Sequence, residues 1–203
     1  MILGREREQA DLRRFLALIR AGEGGAVVLH GEPGIGKTTL LDWASEGAAG
    51  MAVLRAVGHE SDVDLPFVGL ADLLRPLQGQ FERLPRPQAR ALRSALAMSD
   101  PASSDRIAIG AATLNIIHEV SETQPVLLVI DDYQWLDSAT QSVVSFLAPR
   151  SQHRSFGLLI ATREEALTVH RGRDVTLDPL TTEAAAALLN QRGQLSSRAI
   201  ARV

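Results

Sequence analysis

Cysteine is absent from this chain, which excludes disulfide bridges and metal sites built on thiolates. That absence fits a reducing compartment, and a cytoplasmic location is the expectation. Long apolar runs are absent as well. The strongest, VLLVI at 126–130, is far short of the ~20 residues that a membrane-spanning helix needs. The N-terminus, MILGREREQADLRR, is charged at once and lacks the apolar block of a signal peptide. No internal repeat and no low-complexity tract is present. A formal net charge of -3 and a pI of about 6.0 give no sign of a strongly nucleic-acid-binding domain, so no direct nucleic-acid or membrane partner is expected. Lysine is nearly absent. Of 21 basic residues 20 are arginine, and the single lysine is Lys37. A GC-rich coding sequence would explain the bias but not where the exception falls.

The chain does have enough residues for one substantial domain with part of a second, and 45% of them are hydrophobic, enough for a buried core. Leu12, Phe15, Leu16 and Ile19 share one face at helical spacing, predicting a helix over 6–20. AVVLH (26–30) reads as a short buried strand, followed by a helix from Lys37 to about Ala48 and a strand at 52–57. HESDVD (59–64) begins an acidic loop, and Pro66 leads into a further helix. Residues 79–87 read as a connection and 87–98 as helix. SDPASS (99–104) is a turn cluster placed to cap a helix over 105–121. That helix is apolar on more than one side and is expected to be well covered. PVLLVIDD (125–132) is the clearest strand. Ser138 with Gln141 fits a capping box for a helix to about Ala148. Strands at 155–163 and 175–180 follow, then a helix at 183–191 capped by Thr181 or Thr182. Strands alternating with helices predict an α/β fold with a mainly parallel sheet and helices on both faces.

Within that pattern, HGEPGIGKTTL at 30–40 carries the spacing Gly31-x-x-x-x-Gly36-Lys37-Thr38 of a phosphate-binding loop. Glycines let backbone N–H groups turn toward an anion. A helix starting near Lys37 adds its positive end. The Lys37 ammonium reaches β and γ phosphates as a compact charge, and the Thr38 hydroxyl is placed to ligate Mg²⁺. An ordinary glycine-rich turn would share the spacing, but it would not require the chain's only lysine.

A phosphate loop needs an acid at a neighbouring strand end. Asp131 supplies one for Mg²⁺, directly or through water, and Asp132 could orient or deprotonate an attacking water. LLIATR (158–163) is expected to lie next to these strands and to open on the same crevice, where Thr162 or Arg163 could sense a γ-phosphate. His30, His59, His118, His153 and His170 show no metal-ligand spacing, and Trp43 and Trp135 read as packing. A Ras-like GTPase is excluded, because its guanine-reading Asn-Lys-x-Asp element would need a second lysine. A small-molecule kinase finds no arginine-rich lid. The extra strand 52–57, set between the phosphate-loop strand and the Asp131 strand, points to the broad ATPase branch of P-loop proteins.

Several segments in order carry a more specific resemblance: LGRERE (3–8), LHGEPGIGKTTLL (29–41), LPFVGLADLLRPL (65–77), VLLVIDDYQWLD (126–137), LLIATRE (158–164) and LDPLTTEAAAALL (177–189). The chain resembles the STAND-class P-loop ATPases, closest to the N-terminal AAA-like ATPase module of large ATP-binding LuxR-type transcriptional regulators. DDYQWLD matters most, since most mechanical AAA+ ATPases show Asp-Glu there.

The resemblance implies a three-layer P-loop fold with five strands in the order 5-1-4-3-2. It implies an adenine and ribose pocket lined by Leu3, Gly4 and Arg5, and a phosphate loop running to Thr39 that includes Pro33, Gly34, Ile35, Gly36, Lys37 and Thr38. It implies Mg²⁺ on Thr38 and Asp131, Asp132 as the acid that positions water, and Arg163 as the polar sensor. The bound species is ATP or ADP. Such regulators continue into further helical, winged-helix, sensor and DNA-binding domains. Here residues 1–180 are expected to form the core and 181–203 the beginning of a truncated helical domain. One wall of the nucleotide site is then missing, and hydrolysis should be slow. The function implied is a nucleotide-state switch with self-association or downstream regulatory domains as partners. The alternatives are an AAA+ type remodelling ATPase with robust turnover and a non-catalytic module that holds ADP.

Overall fold

The computed structural model describes residues 2–96, 106–163, 173–182 and 184–188. Five strands, β1 (Gly25–His30), β2 (Ala52–Val57), β3 (Val126–Asp131), β4 (Phe156–Thr162) and β5 (Arg173–Thr176), form one sheet in the order β2-β3-β4-β1-β5. Every pairing is parallel. This is the expected α/β arrangement, the same strand order written from the other edge. The strand lying between β1 and β3 in space is β4, as adjacency of 158–163 to both requires. The 52–57 strand falls between them only along the chain and forms the sheet's outer edge as β2.

Parallel strands need crossover connections, and helices supply them on both faces. Side chains alternate across the sheet with a period of two. Val28, Leu128, Ile130, Leu158 and Ile160 face one layer, made by α3 (Val68–Leu74), α4 (Arg86–Ala95), α5 (Arg106–Ser121) and α6 (Ser138–Leu147). Val27, Leu29, Leu127, Val129, Leu159 and Ala161 face the other, made by α1 (Glu6–Arg20) and α2 (Lys37–Glu46). β3 and β4 are buried along their whole length, which is why they read as unbroken apolar runs. Gly157 is required for close approach. A Cβ there would stand 2.6 Å from Ile19 Cδ1 and 2.8 Å from the Phe15 ring, both on α1.

Several features differ from expectation, three of them instructive. β5 begins at Arg173 and ends at Thr176 instead of spanning 175–180. Polar residues at its start are tolerated because it is an edge strand. Pro179 has no N–H to extend the ladder, and the Leu177 N–H donates to His30 O as the chain turns away. In α5, Ile109, Ile116, Ile117 and Val120 are buried but Ile107 is 75% exposed, so only part of its apolar surface is covered. The turn at 99–104 lies outside the described residues, as do residues 189–203. The described part of the last helix, 184–188, is helical.

The third difference concerns the start of α6. The cap is Asp137, one residue before Ser138. Its side chain accepts from Thr140 N at 2.8 Å and from Thr140 Oγ1 at 2.6 Å. Gln141 turns back to donate to the carbonyls of Tyr133 and Leu136 instead of closing a box. Asp137 does more than cap. Its carboxylate also accepts from Phe67 N at 2.8 Å and Gly69 N at 3.2 Å, 70 and 68 residues away. Phe67 is a buried non-glycine residue at φ 67, a conformation that persists only when its surroundings hold it. One buried carboxylate therefore fixes the loop after β3 to the start of α3. Replacing Asp137 with Ala strands several buried N–H groups and should lower the free energy of unfolding by about 3 kcal/mol. Asp137→Asn, which keeps one acceptor, should lose roughly half as much. Urea denaturation of the two variants measures both, and a loss within about 0.5 kcal/mol for Asp137→Ala would contradict the node.

Candidate functional site

The C-terminal ends of β1, β3 and β4 meet at one edge of the sheet, where parallel α/β sheets open their ligand crevice. β1 ends at His30 and is followed at once by the glycine loop 31–36. The register sets His30 beside Thr162 of β4. Gly34 (φ 76) and Gly36 (φ 105) both take left-handed conformations, and nothing lies within 4 Å of where a Cβ would stand on either. Backbone conformation, not lack of room, is what demands glycine there. Gly36 is the residue before α2, so the loop runs directly into a helix N-terminus.

Lys37 is the first residue of α2 and is buried. Its ammonium donates to Gly31 O at 2.6 Å and Glu32 O at 3.0 Å. Neutral carbonyls replace lost water without cancelling the charge. Burial accordingly pushes Lys37 below the ordinary lysine value of 10.5, and the Arg163 guanidinium acts in the same direction, while Asp132, Asp131 and Glu32 oppose it. A buried cation with these partners is well matched to an incoming polyanion. Pro33 and Gly34 lie on the exposed side of the loop, Ile35 is half-buried against the α1–α2 layer, and Thr38 and Thr39 are exposed on the first turn of α2.

The N-terminal segment braces this loop. Arg5 is buried, donating through Nη2 to Ile35 O at 3.0 Å and through Nη1 to Glu8 at 3.1 Å. Gly4 (φ 71) packs beneath Leu180 and Ala184, and a Cβ on it would meet Ala184 Cβ at 2.6 Å. Leu3, Gly4 and Arg5 thus lie between the phosphate loop and the end of the described chain, with the guanidinium of Arg5 already engaged.

Asp131 ends β3 and is buried. Its Oδ1 accepts from Asp132 N at 3.0 Å, and the Arg55 guanidinium lies 3.9 Å from its Oδ2 while also pairing with Asp42 of α2. Asp132 sits at φ 46, ψ 49, a left-handed conformation that Asp tolerates better than most residues. Arg163, just past β4, reaches it with Nε 3.7 Å from Oδ1. Lys37, Asp131, Asp132 and Arg163 are therefore brought to one electrostatic cluster. Two members were not anticipated. Gln134, in the 3-10 turn Tyr133–Trp135, donates to Asp132 Oδ1 at 2.9 Å and accepts from Thr162 Oγ1 and Arg163 N. Arg55 is the other. Both come from tertiary contacts and lack a spacing signal, although a polar residue between Tyr133 and Trp135 is a weak cue for Gln134.

Residues outside this cluster serve other ends. Trp43 packs on the α1–α2 layer with Arg13 over its ring at 5.0 Å. His30 is buried and bonds Asp174 of β5 at 3.0 Å, and His118 pairs with Glu122 on the exposed side of α5. No metal-ligand cluster of three or more His, Cys, Asp or Glu occurs among the described residues, and no described helix is long and apolar enough to cross a membrane.

Residues 2–160 match the family described as AAA ATPase domain. The chain belongs to the AAA ATPase family. Family membership carries nucleotide binding, typically as Mg-ATP, and ATP hydrolysis as the activity of the class. No curated protein matches the chain. Among solved structures, this AAA ATPase domain is similar to a DNA replication initiation factor (TM-score 0.52, 13% identity, covering 93% of this chain and 50% of that one). It is also similar to Drosophila ORC bound to DNA (0.53, 16%, 91% and 44%) and to a Walker-type ATPase of Pyrococcus abyssi (0.56, 13%, 97% and 59%). At these identities the likeness establishes the fold. The chain spans about half the length of the structures it matches.

The burial of Lys37 sets a pH dependence for this AAA ATPase domain. A bound polyphosphate restores its charge, so affinity should be full below the free protein's Lys37 pKa and fall as pH rises through it. The same shift means that folding stability rises through that window, as the buried ammonium is relieved. Because burial lowers the pKa, the decline in nucleotide affinity should begin clearly below 10.5. Titrating ADP between neutral pH and pH ~10 tests this, with a flat profile as the contrary result.

Proposed function

We propose that this domain is an ATP-binding, slowly hydrolysing switch module of a LuxR-type, STAND-class transcriptional regulator. Residues 1–180 form its ATPase core and 181–203 begin a helical domain. The observation that carries the switch is the Arg163–Asp132 contact at 3.7 Å. A triphosphate reaching the end of β4 competes with Asp132 for that guanidinium, whereas a diphosphate does not reach as far. ATP and ADP therefore differ in what they do to this pair, and only such differential contact can shift a conformational equilibrium. ADP favours a closed, silent form, and ATP an open, self-associating one.

The roles follow from position. The 31–36 backbone and the start of α2 receive the phosphates, and Lys37 swings from the Gly31 and Glu32 carbonyls to the β and γ groups. Leu3, Gly4 and Arg5 border the adenine and ribose side. Thr38 and Asp131 offer hard oxygen donors of the kind Mg²⁺ takes alongside phosphate oxygens, which makes them a fitting set for it. When bound, Mg²⁺ would offset phosphate charge. Asp132 orients the attacking water and draws off its proton, and Arg163 reads the γ-phosphate. Asp132 in place of glutamate has one methylene less reach, consistent with slow turnover.

Titrating labelled ATP and ADP with and without Mg²⁺ tests the reading. Lys37→Ala should weaken both nucleotides by about tenfold or more, as expected for a lost charged hydrogen bond. Arg163→Ala should bring ATP and ADP affinities close to parity. Equal weak binding by parent and Lys37→Ala would sink the assignment. Phosphate release should run well below the ~10 s⁻¹ typical of enzymes. Turnover at that rate at high protein concentration would favour a remodelling ATPase, and co-purified ADP that neither exchanges nor reacts would favour a non-catalytic module.

A further inference from the structure

We propose that Gln134 is a positioning residue that locks Asp132 and the end of β4 into one unit, so that the water-orienting acid and the γ-phosphate sensor move together. This rests on the roles given to Asp132 and Arg163 above. The carboxamide joins two parts of the fold that lie 28 and 29 residues apart in sequence. Its Nε2 donates to Asp132 Oδ1 at 2.9 Å, while its Oε1 accepts from Thr162 Oγ1 at 3.2 Å and from Arg163 N at 3.1 Å.

An amide suits this place because it presents a donor at one atom and an acceptor at the other. A carboxylate there would meet Asp132 with like charge, and an apolar side chain would drop all three bonds. The arrangement on both sides is sensitive to it. Asp132 stands in a left-handed conformation that its neighbours must maintain. Thr162 is fully buried at the last position of β4, so its hydroxyl is held by a rigid strand. Gln134 transmits that rigidity to the acid. Gln134 and Arg163 both contact Oδ1 of Asp132, which leaves Oδ2 to take the proton from water. If a γ-phosphate draws Arg163 away, the Gln134 amide still holds Asp132 in place. Loss of the Arg163 contact then frees the carboxylate as a base without letting it drift.

The test compares Gln134→Met, which keeps length but removes both polar atoms, with Gln134→Glu. Gln134→Met should lower kcat about tenfold or more and weaken ATP, with ADP affinity within about twofold of the parent. Its thermal midpoint should fall by no more than a few degrees, as for the loss of one or two hydrogen bonds. Gln134→Glu, which keeps an acceptor for Thr162 Oγ1 and Arg163 N but sets a like charge against Asp132 in place of the donor, should lower kcat as Gln134→Met does. The ratio of ATP to ADP affinity, measured by equilibrium titration, is the second readout and decides if turnover is too slow to follow. It should fall toward one in Gln134→Met. A Gln134→Met protein with kcat and affinity ratio both within twofold of the parent overturns the proposal. If Lys37→Ala binds nucleotide as the parent does, the nucleotide-site reading itself has failed, which is a separate result.

Discussion

A single buried ammonium organises the functional end of this molecule. Lys37 begins α2 and folds back onto two carbonyls of the loop that precedes it. The loop reaches that shape because Gly34 and Gly36 accept left-handed backbone angles. It keeps the shape because Arg5 ties Ile35 O to α1. The carboxylates of Asp131 and Asp132 stand close enough to counter the burial of the charge without quenching it. Each element makes sense as a way of keeping a cation out of water until a polyanion arrives.

The parallel sheet makes this arrangement possible. Placing β4 between β1 and β3 brings the phosphate loop, the acidic strand end and Arg163 to one side of one edge. The register pairs His30 with Thr162 directly. Beyond the edge, two side chains cross between segments that are remote in sequence. Asp137 fixes the loop after β3 to the start of α3. Gln134 fixes the turn after β3 to the end of β4. Both lie within seven residues of one another in DDYQWLD, so this short segment couples the acid pair to both neighbouring elements.

Family membership and geometry address different levels of function. Membership in the AAA ATPase family supplies the nucleotide and its hydrolysis as the chemistry of the class. The geometry adds what is particular to this chain: an Asp-Asp pair at the end of β3, a guanidinium set against the second acid, and an amide bridging that acid to the end of β4.

Much of the fold was legible in the sequence because its signals are local. Apolar runs marked the buried strands, helical spacing marked α1, and glycine spacing with the lone lysine marked the phosphate loop. The exceptions are places where local signals compete. Ser138 and Gln141 had the spacing of a capping box, but Asp137 stood one residue earlier with a carboxylate that could accept several N–H groups at once. β5 looked longer than it is because apolar content at 175–180 outweighed the missing donor of Pro179. The sequence alone determined the strand and helix order and the glycine-lysine loop between β1 and α2, since both depend on neighbours in the chain. Only the tertiary structure decided that Gln134 and Arg55 join the cluster at the ends of β3 and β4, that Arg5 engages Ile35 O and that Asp137 holds the start of α3, because each acts through partners brought close by the fold and no spacing along the chain records such contacts.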